Sequence, residues 1–231
     1  MQPYFFPYPG YFSLIKHTAL FILLDAVQMR RHGWIERNRI LKPGEGWQYI
    51  RAPLTKHAHK ARISEVQINN DEPWKRRLLA QLEHYRKRAP FYDDVMLLLQ
   101  QLFARDFATI VDLDHAALGA VCDYLGIGTP VRVFSQMGLE VPPALAPDDW
   151  ALNICRAVPG ADEYWNPPGG VSFFDPDKYA AGGVRLRFHS IIPSEYDQRG
   201  EAFEPGLSIL DAMMFNSPAA INEMLDQYEL S

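Results

Sequence analysis

The first twelve residues limit what this chain can fold into more than any other segment, because they combine prolines with many aromatic side chains. Six of residues 3–12 are aromatic and three are proline. Each proline removes a backbone donor and fixes φ, so the segment is predicted to be a stiff loop. Gly10 permits a close backbone approach at the end of this loop, before a helix predicted over residues 12–19. Backbone N–H groups at that helix start suit an anion, and packing of the aromatic rings into a hydrophobic corner is the alternative.

Short apolar runs and amphipathic stretches alternate along the rest of the chain. Residues 20–25 form a continuous apolar run that ends in Asp25, the pattern of a buried strand. Further strands are predicted over residues 47–52, 61–68, 131–135, 163–165 and 184–191, and helices over 71–89, 90–102, 114–125, 150–158, 208–215 and 218–230. This alternation favours an α/β fold with helices flanking a mostly parallel sheet. No repeat or linker is visible, so we expect a single domain over residues 1–231.

Composition excludes several classes of partner. The net charge is −5, which gives no support to nucleic-acid binding. The longest apolar run, residues 19–24, is far too short for membrane insertion. No signal peptide is visible, and the two cysteines, Cys122 and Cys155, lie in helical patterns, so we expect a cytoplasmic protein with reduced thiols. His57 and His59 form only a two-ligand pair, so no metal site is predicted.

The stretch RRHGWIERNRILK concentrates positive charge around an indole. Five cations lie within thirteen residues, Arg30, Arg31, Arg37, Arg39 and Lys42. Arginine forks and a stacking Trp34, with Asn38 beside them, suit a phosphate, pyrophosphate or carboxylate. A solvated charged turn is the alternative, although Trp34 is an unusual residue for such a turn.

Two later stretches carry polar residues next to turns. In ADEYWNPPGG, Asn166 follows a predicted strand, and Gly169 and Gly170 allow a ligand to approach the backbone. Ligands of open α/β sheets bind on loops of this kind, although a purely structural turn has the same appearance.

In LSILDAMMFN, Ser208 is a competent N-cap with Asp211 as its partner, and capping alone explains both residues. Asn216 suits a C-terminal cap or a turn. The sequence contains no GxSxG, Walker, HExxH or dinucleotide motif.

Five ordered stretches give the chain a family resemblance. QPYFFPYPGYFSLI, LLDAVQ, GWIERNRI, NICRAVPGADEYWNPPGG and LSILDAMMFN occur in the order seen in the WbqC-like family, and they extend from Gln2 to Asn216. The family's namesake lies in an O-antigen gene cluster, and members occur among surface-polysaccharide and other biosynthetic genes. The resemblance implies a biosynthetic role and does not by itself imply one reaction.

The family motif also identifies individual positions. It falls on Gln2, Pro3, Pro7, Gly10, Tyr11, Asp25, Gln28, Trp34, Arg37, Asn38, Arg39, Asn166, Gly169, Gly170, Ser208, Asp211 and Asn216. Members usually have a hydrophobic strand directly before the Gln-Pro pair, where this sequence has only Met1, so we expect that strand to be missing. Ala26 interrupts the usual Asp-Asp-Val-Gln, which puts a paired-carboxylate role there in doubt. The order of strand, glycine-containing loop, helix and strand is similar to that of nucleotidyltransferase-type domains. Tyr11 stands where those domains have a phosphate-binding histidine, so the analogy concerns architecture alone.

These observations lead to a functional prediction. We expect a transferase-type enzyme acting on an activated sugar or amino-acid intermediate of O-antigen, surface-polysaccharide or specialised-metabolite assembly. Asp25, at a predicted strand end, is the candidate general base, and Asp211 is the second candidate catalytic residue. The predicted substrate-binding residues are Gln2, Gly10, Tyr11, Gln28, Trp34, Arg37, Asn38, Arg39, Asn166, Gly169, Gly170, Ser208 and Asn216. The partner is a small-molecule substrate, with nucleotide activation as one alternative. A non-catalytic ligand-binding or scaffold protein is the rival, and the sequence names no cofactor and no oligomeric state.

Overall fold

Helices and strands alternate along the chain in the computed structural model, which describes residues 1–30 and 33–231. Within those residues the helices are α1 (Pro9–Lys16), α2 (Trp74–Leu82), α3 (Tyr92–Leu102), α4 (Ile110–Leu125), α5 (Asp149–Ala157), α6 (Pro176–Ala181), α7 (Ile209–Phe215) and α8 (Pro218–Leu225). The strands are β1 (Phe21–Leu23), β2 (Arg37–Leu41), β3 (Trp47–Arg51), β4 (Val131–Val133), β5 (Glu163–Asn166), β6 (Arg185–Ile191) and β7 (Tyr228–Leu230). None of the described helices has the length and apolarity needed to cross a bilayer.

The strands form three small sheets. β1 pairs with β4 in parallel, β2 and β3 form an antiparallel hairpin, and β6 pairs with β5 in parallel and with β7 in antiparallel. The α/β class is therefore confirmed in its coarse form, but a single mostly parallel sheet is not what the described strands make. β1 and β5 belong to different sheets, and a cavity lies between them. This arrangement does not confirm a nucleotidyltransferase-like outline.

The main chain of Met1 lies against β1. The N-terminal ammonium donates to the Ile22 carbonyl at 2.9 Å, and the Leu24 N–H donates to the Met1 carbonyl at 2.7 Å. These two bonds have the pattern of a parallel pairing with β1. The residues that follow Met1 therefore leave β1 next to its carboxyl end.

One predicted element differs in type and another ends early in the structure. Residues 61–68 were expected to form a strand but contain a 3₁₀-helix, Ile63–Glu65, in which the Glu65 carboxylate accepts from the Arg62 N–H at 2.9 Å. The last predicted helix was expected to extend to Leu230 and instead ends at Leu225, followed by β7.

The aromatic opening contributes to the main hydrophobic core. Phe5, Phe6 and Phe12 are fully buried, and α1 begins at Pro9, three residues before the predicted start. Proline suits the first helical position, where its missing N–H has no intrahelical partner. A second, smaller cluster of Leu152, Tyr179 and Val184 lies under α6 and β6. The packing alternative for the aromatic loop is thus correct for its phenylalanines.

Candidate functional site

Three motifs meet at the backbone of the opening loop. The Asn38 amide donates to the carbonyls of Phe5 at 3.1 Å and Phe6 at 2.6 Å, and the Ser208 hydroxyl donates to the Phe6 carbonyl at 2.7 Å. The Ile209 N–H donates to the Pro7 carbonyl at 2.8 Å. Asn38 and Ser208 are buried, so their polar groups are used in holding this loop.

The Asp211 carboxylate is fully enclosed by donors. Tyr85 Oη donates to it at 2.5 Å, Tyr196 Oη at 2.7 Å and Gln198 Nε2 at 2.8 Å. Burial raises the pKa of Asp211, while these hydrogen bonds lower it. The carboxylate thereby connects α7 to Tyr85, which follows α2, and to the segment that contains Tyr196 and Gln198. It does not line the cavity described below.

Asp25 and Gln28 also bond within the protein. The Asp25 carboxylate accepts from the Ser135 N–H at 3.0 Å and from the Ser135 hydroxyl at 2.5 Å, and Asp25 is fully buried. Gln28 is exposed, and its amide donates to the His59 carbonyl at 2.7 Å. Neither side chain reaches the cavity, so catalysis by Asp25 stays a prediction without support from its surroundings.

A cavity of about 710 Å³ lies between β1 with α1 on one side and β5 with α5 on the other. Four of the predicted substrate-binding residues line it: Gln2, Tyr11, Trp34 and Asn166. Its aromatic lining is Tyr4, Tyr11, Phe21, Trp34, Trp150, Tyr164, Trp165 and Phe174. Gln2, Arg30 and Trp34 are exposed members of the lining, so the cavity reaches solvent beside them.

The polar side chains of Tyr11, Tyr164 and Asn166 in the cavity wall are fixed by hydrogen bonds. Tyr11 Oη donates to the Gln2 carbonyl at 2.7 Å. The Asn166 carbonyl oxygen accepts from Tyr164 Oη at 3.0 Å, and its amide donates to the Pro167 carbonyl at 2.8 Å. The Cys155 thiol also lines the cavity, and burial raises its pKa to about 11. The wall is therefore preorganised for binding, and its thiol is not an activated nucleophile.

The two glycines after Asn166 differ in their surroundings. A Cβ added at Gly170 would lie 1.9 Å from Asn166 Nδ2 and 3.1 Å from the Phe174 ring. A Cβ added at Gly169 would meet nothing within 4 Å. Gly170 is thus required where Asn166 and Phe174 face the cavity, and Gly169 is not. Gly10 has a similar packing role, since an added Cβ would lie 2.8 Å from Ile191.

The strands of the β2–β3 hairpin carry two of the predicted cations, Arg37 and Arg39. The Arg39 guanidinium lies over the rings of Trp34, at 5.4 Å, and Trp47, at 5.2 Å. Its Nη2 donates to the Gly206 carbonyl at 2.9 Å. Arg37 lies 4.4 Å over the Tyr49 ring. Arg31, another of the predicted cations, lies outside the described residues.

The last predicted residue, Asn216, follows α7 as expected for a cap. Its amide donates to the Ala212 carbonyl at 2.9 Å. Asn216 therefore belongs with Asn38, Ser208 and Asp211, which hold the framework and do not line the cavity.

Asp114 is a buried acid that sequence reasoning missed. It is fully buried on α4, and neither carboxylate oxygen has a hydrogen-bond partner among the described residues. Burial raises the pKa of Asp114 well above its usual range, and the charge of Glu36 raises it further. An acid within the otherwise apolar face of α4 was the available sequence signal.

A buried serine–histidine contact does not form a nucleophile. Ser13 Oγ donates to the Leu225 carbonyl at 2.6 Å, so it must accept from His189 Nε2, which lies at 3.0 Å. A serine activated for attack donates its proton to the histidine, which is the opposite direction. Among the described residues no three His, Cys, Asp or Glu side chains are grouped to hold a metal ion.

The fold and site together define an α/β protein with an aromatic-lined cavity between two small sheets. The model of the WbqC-like protein family matches residues 2–223, and the chain belongs to that family. The chain is 28% identical over 228 residues to the uncharacterized protein Rv1507c of Mycobacterium tuberculosis (strain ATCC 25618 / H37Rv), covering 97% of this chain and 95% of that one. No solved structure matches the chain.

Proposed function

We propose that this protein binds a small, ring-bearing biosynthetic intermediate, an activated sugar or amino acid, in the cavity between β1 and β5. One observation carries the proposal. Gln2, Trp34 and Asn166 belong to three motifs far apart in the sequence, and they line the same cavity. Ligand sites in proteins are typically concave and largely apolar, with a few fixed polar groups.

The chemistry of the wall supports this class of ligand. Aromatic rings at Tyr4, Trp34 and Trp150 line the cavity and offer apolar surface to a sugar or other ring. The bonded amide of Asn166 and the exposed side chains of Gln2 and Arg30 supply polar contacts that orient it. A cavity of about 710 Å³ has the size of ordinary small-molecule sites.

Group transfer is the reaction we propose for this site, in the assembly of surface polysaccharide or specialised metabolites. Transfer of a group between two bound ligands depends on orienting the donor against the acceptor and on excluding water. It does not require a protein nucleophile. Asp25 and Asp211 then act by positioning the loops around the cavity. We also propose a cytoplasmic location, which the two free cysteines support.

The test is a thermal-shift screen with nucleotide sugars, nucleotides, amino acids and acyl donors. A donor that binds the folded protein alone raises its free energy of unfolding by about 2.7 kcal/mol at one hundred times Kd. Positive donors are then incubated with acceptors, and products are measured by mass spectrometry.

Two matched variants test whether the ligand binds in the cavity. Ala151→Phe fills the cavity from α5 and is expected to abolish the shift, whereas Ala104→Phe, outside the lining, should leave it unchanged. Stabilisation with no product from any donor and acceptor pair supports the rival, a non-catalytic ligand-binding or scaffold protein. No shift from any compound contradicts the proposal.

A further inference from the structure

The outward face of the β2–β3 hairpin is basic and aromatic. Asn38, Ile40 and Ile50 point into the protein and are buried. The alternate positions carry Arg37, Arg39, Trp47, Tyr49 and Arg51, and we call these five side chains the hairpin face. In register, Arg37 lies opposite Arg51, and Arg39 lies opposite Tyr49. Three guanidinium groups therefore share one side of a two-stranded sheet.

Arg39 is held in place without a carboxylate. It lies over Trp34 and Trp47, and Nη2 donates to the Gly206 carbonyl. The ion pairs of the described residues do not include Arg39 or Arg51. The Arg39 Nε–H is buried and has no hydrogen-bond partner among the described residues. Because Nε is buried, an anion is contacted through the Nη groups, whose plane is fixed by the two stacked rings.

The hairpin face adjoins the cavity through Trp34. The Trp34 ring lies beneath Arg39 and also lines the cavity. Tyr4, another lining residue, stacks on Trp34 with ring centroids 6.0 Å apart, and the charge of Arg39 counteracts the rise in the Tyr4 pKa caused by burial. A ligand whose ring occupies the cavity therefore has Arg39 within reach of its anionic part.

We propose that Arg39 anchors a phosphoryl group of a diphosphate-linked ligand, with Arg37 and Arg51 contacting the outer phosphate. This inference rests on the proposed cavity site and names the activating group of its ligand. Three arginines exceed what a single carboxylate neutralises, whereas a diphosphate carries several charges and many acceptor oxygens. The whole chain has a net charge of −5, so this concentration of cations is local.

The test is isothermal titration calorimetry with inorganic pyrophosphate, UDP and uridine as probes. We expect pyrophosphate and UDP to bind, and uridine to bind at least tenfold more weakly than UDP. Arg39→Lys keeps the charge but loses the planar fork, and it should weaken UDP binding at least tenfold. Arg132→Gln, an exposed arginine on β4, should change nothing. Equal affinities for UDP and uridine, or unchanged binding by Arg39→Lys, would overturn the inference.

A second variant, Trp47→Ala, tests the anchor independently if Arg39→Lys does not fold. Trp47→Ala removes one side of the arginine stack and leaves every charge, so UDP binding should fall several-fold and be restored by Trp47→Phe. Unchanged binding by Trp47→Ala contradicts the anchor.

The two proposals fail differently. If cavity ligands stabilise the protein but Arg39→Lys does not affect them, the cavity function stands and the phosphate anchor is wrong. If Arg39-dependent UDP binding persists in Ala151→Phe, the anchor stands and the cavity is not the site of the ring.

Discussion

Phe6 shows how single residues hold the opening loop. Its φ is +41°, a left-handed backbone that costs a non-glycine residue roughly 1–3 kcal/mol. The hydrogen bonds from Asn38 and Ser208 to its carbonyl, with full burial of its ring, oppose that cost. The strain is thus maintained by polar side chains that look, in sequence, like ligand contacts.

Replacing Asn38 tests this role. Asn38→Ala leaves the Phe5 carbonyl without its donor and the Phe6 carbonyl with Ser208 alone, so the free energy of unfolding should fall by about 2–4 kcal/mol in urea denaturation. Asn153→Ala, whose exposed amide donates to the Pro142 carbonyl, is the matched control and should lose under 1 kcal/mol. Equal losses in the two variants would contradict a special role for Asn38.

Asp211 distinguishes a framework role from a catalytic one. Asp211→Asn places an amide where Tyr85, Tyr196 and Gln198 all donate, so we expect a loss of about 3 kcal/mol in stability. Ligand affinity of the folded fraction should stay within about twofold. A variant of normal stability that binds ligand without turnover would instead support the predicted catalytic role.

Asp114 gives a prediction about pH. Its raised pKa means that folding favours the protonated acid, so the stability it contributes is present below pH 3.8 and is lost as pH rises through the folded-state pKa. Asp114→Asn does not titrate and should therefore be more stable than the wild type at pH 7, by about 1–3 kcal/mol. This gain should shrink at pH 5.

The control for pH is Asp123→Asn, which removes an exposed carboxylate from the same helix. Its stability difference from the wild type should stay flat between pH 5 and pH 7. An Asp114→Asn variant that is less stable than the wild type at pH 7 would show that the carboxylate has a partner.

At the scale of elements, local signals predict some boundaries and miss others. Pro218 begins α8 and Gly126 ends α4 with φ +69°, as expected. Pro9 begins α1 before the predicted start, and neither α6 at Pro176 nor the strand β2 was predicted. Ile63, Val66 and Ile68 are spaced by three and then by two, so their pattern fits neither period, and the predicted strand there was wrong. β7 was missed because a three-residue strand exists only through its pairing with β6.

The loop after β5 provides a test at this scale. Gly170→Ala forces Asn166 or Phe174 away from the cavity, so stability should fall by about 1–3 kcal/mol and ligand binding should weaken. Gly169→Ala, which has open space, should stay within about 0.5 kcal/mol of the wild type. Urea denaturation and the thermal shift measure both effects, and equal behaviour of the two alanines would contradict the assigned geometry.

At the scale of the whole molecule, the sequence identified stretches that meet in or around the cavity, but it could not separate the residues that line the cavity from those that hold the framework. Gln2, Trp34 and Asn166 line the cavity, whereas Asn38, Ser208 and Asp211 hold the framework around it. Residues that cap or hold buried backbone and residues that bind ligands are of the same chemical types. Only their contacts in the folded structure show which role each residue has. The division into three small sheets was equally inaccessible, since it depends on pairings between distant strands.

If the cavity binds the ligand, the bound ligand should shield Cys155. Cys155 lines the cavity with a thiol pKa of about 11, while Cys122 is buried in the main core with a pKa of about 12 and serves as the internal control. Alkylation at pH 9 is followed by mass spectrometry with and without a ligand from the thermal-shift screen. We expect the ligand to slow modification of Cys155 at least fivefold and to leave the rate at Cys122 unchanged. An unchanged rate at Cys155 with saturating ligand would show that the ligand binds outside the cavity.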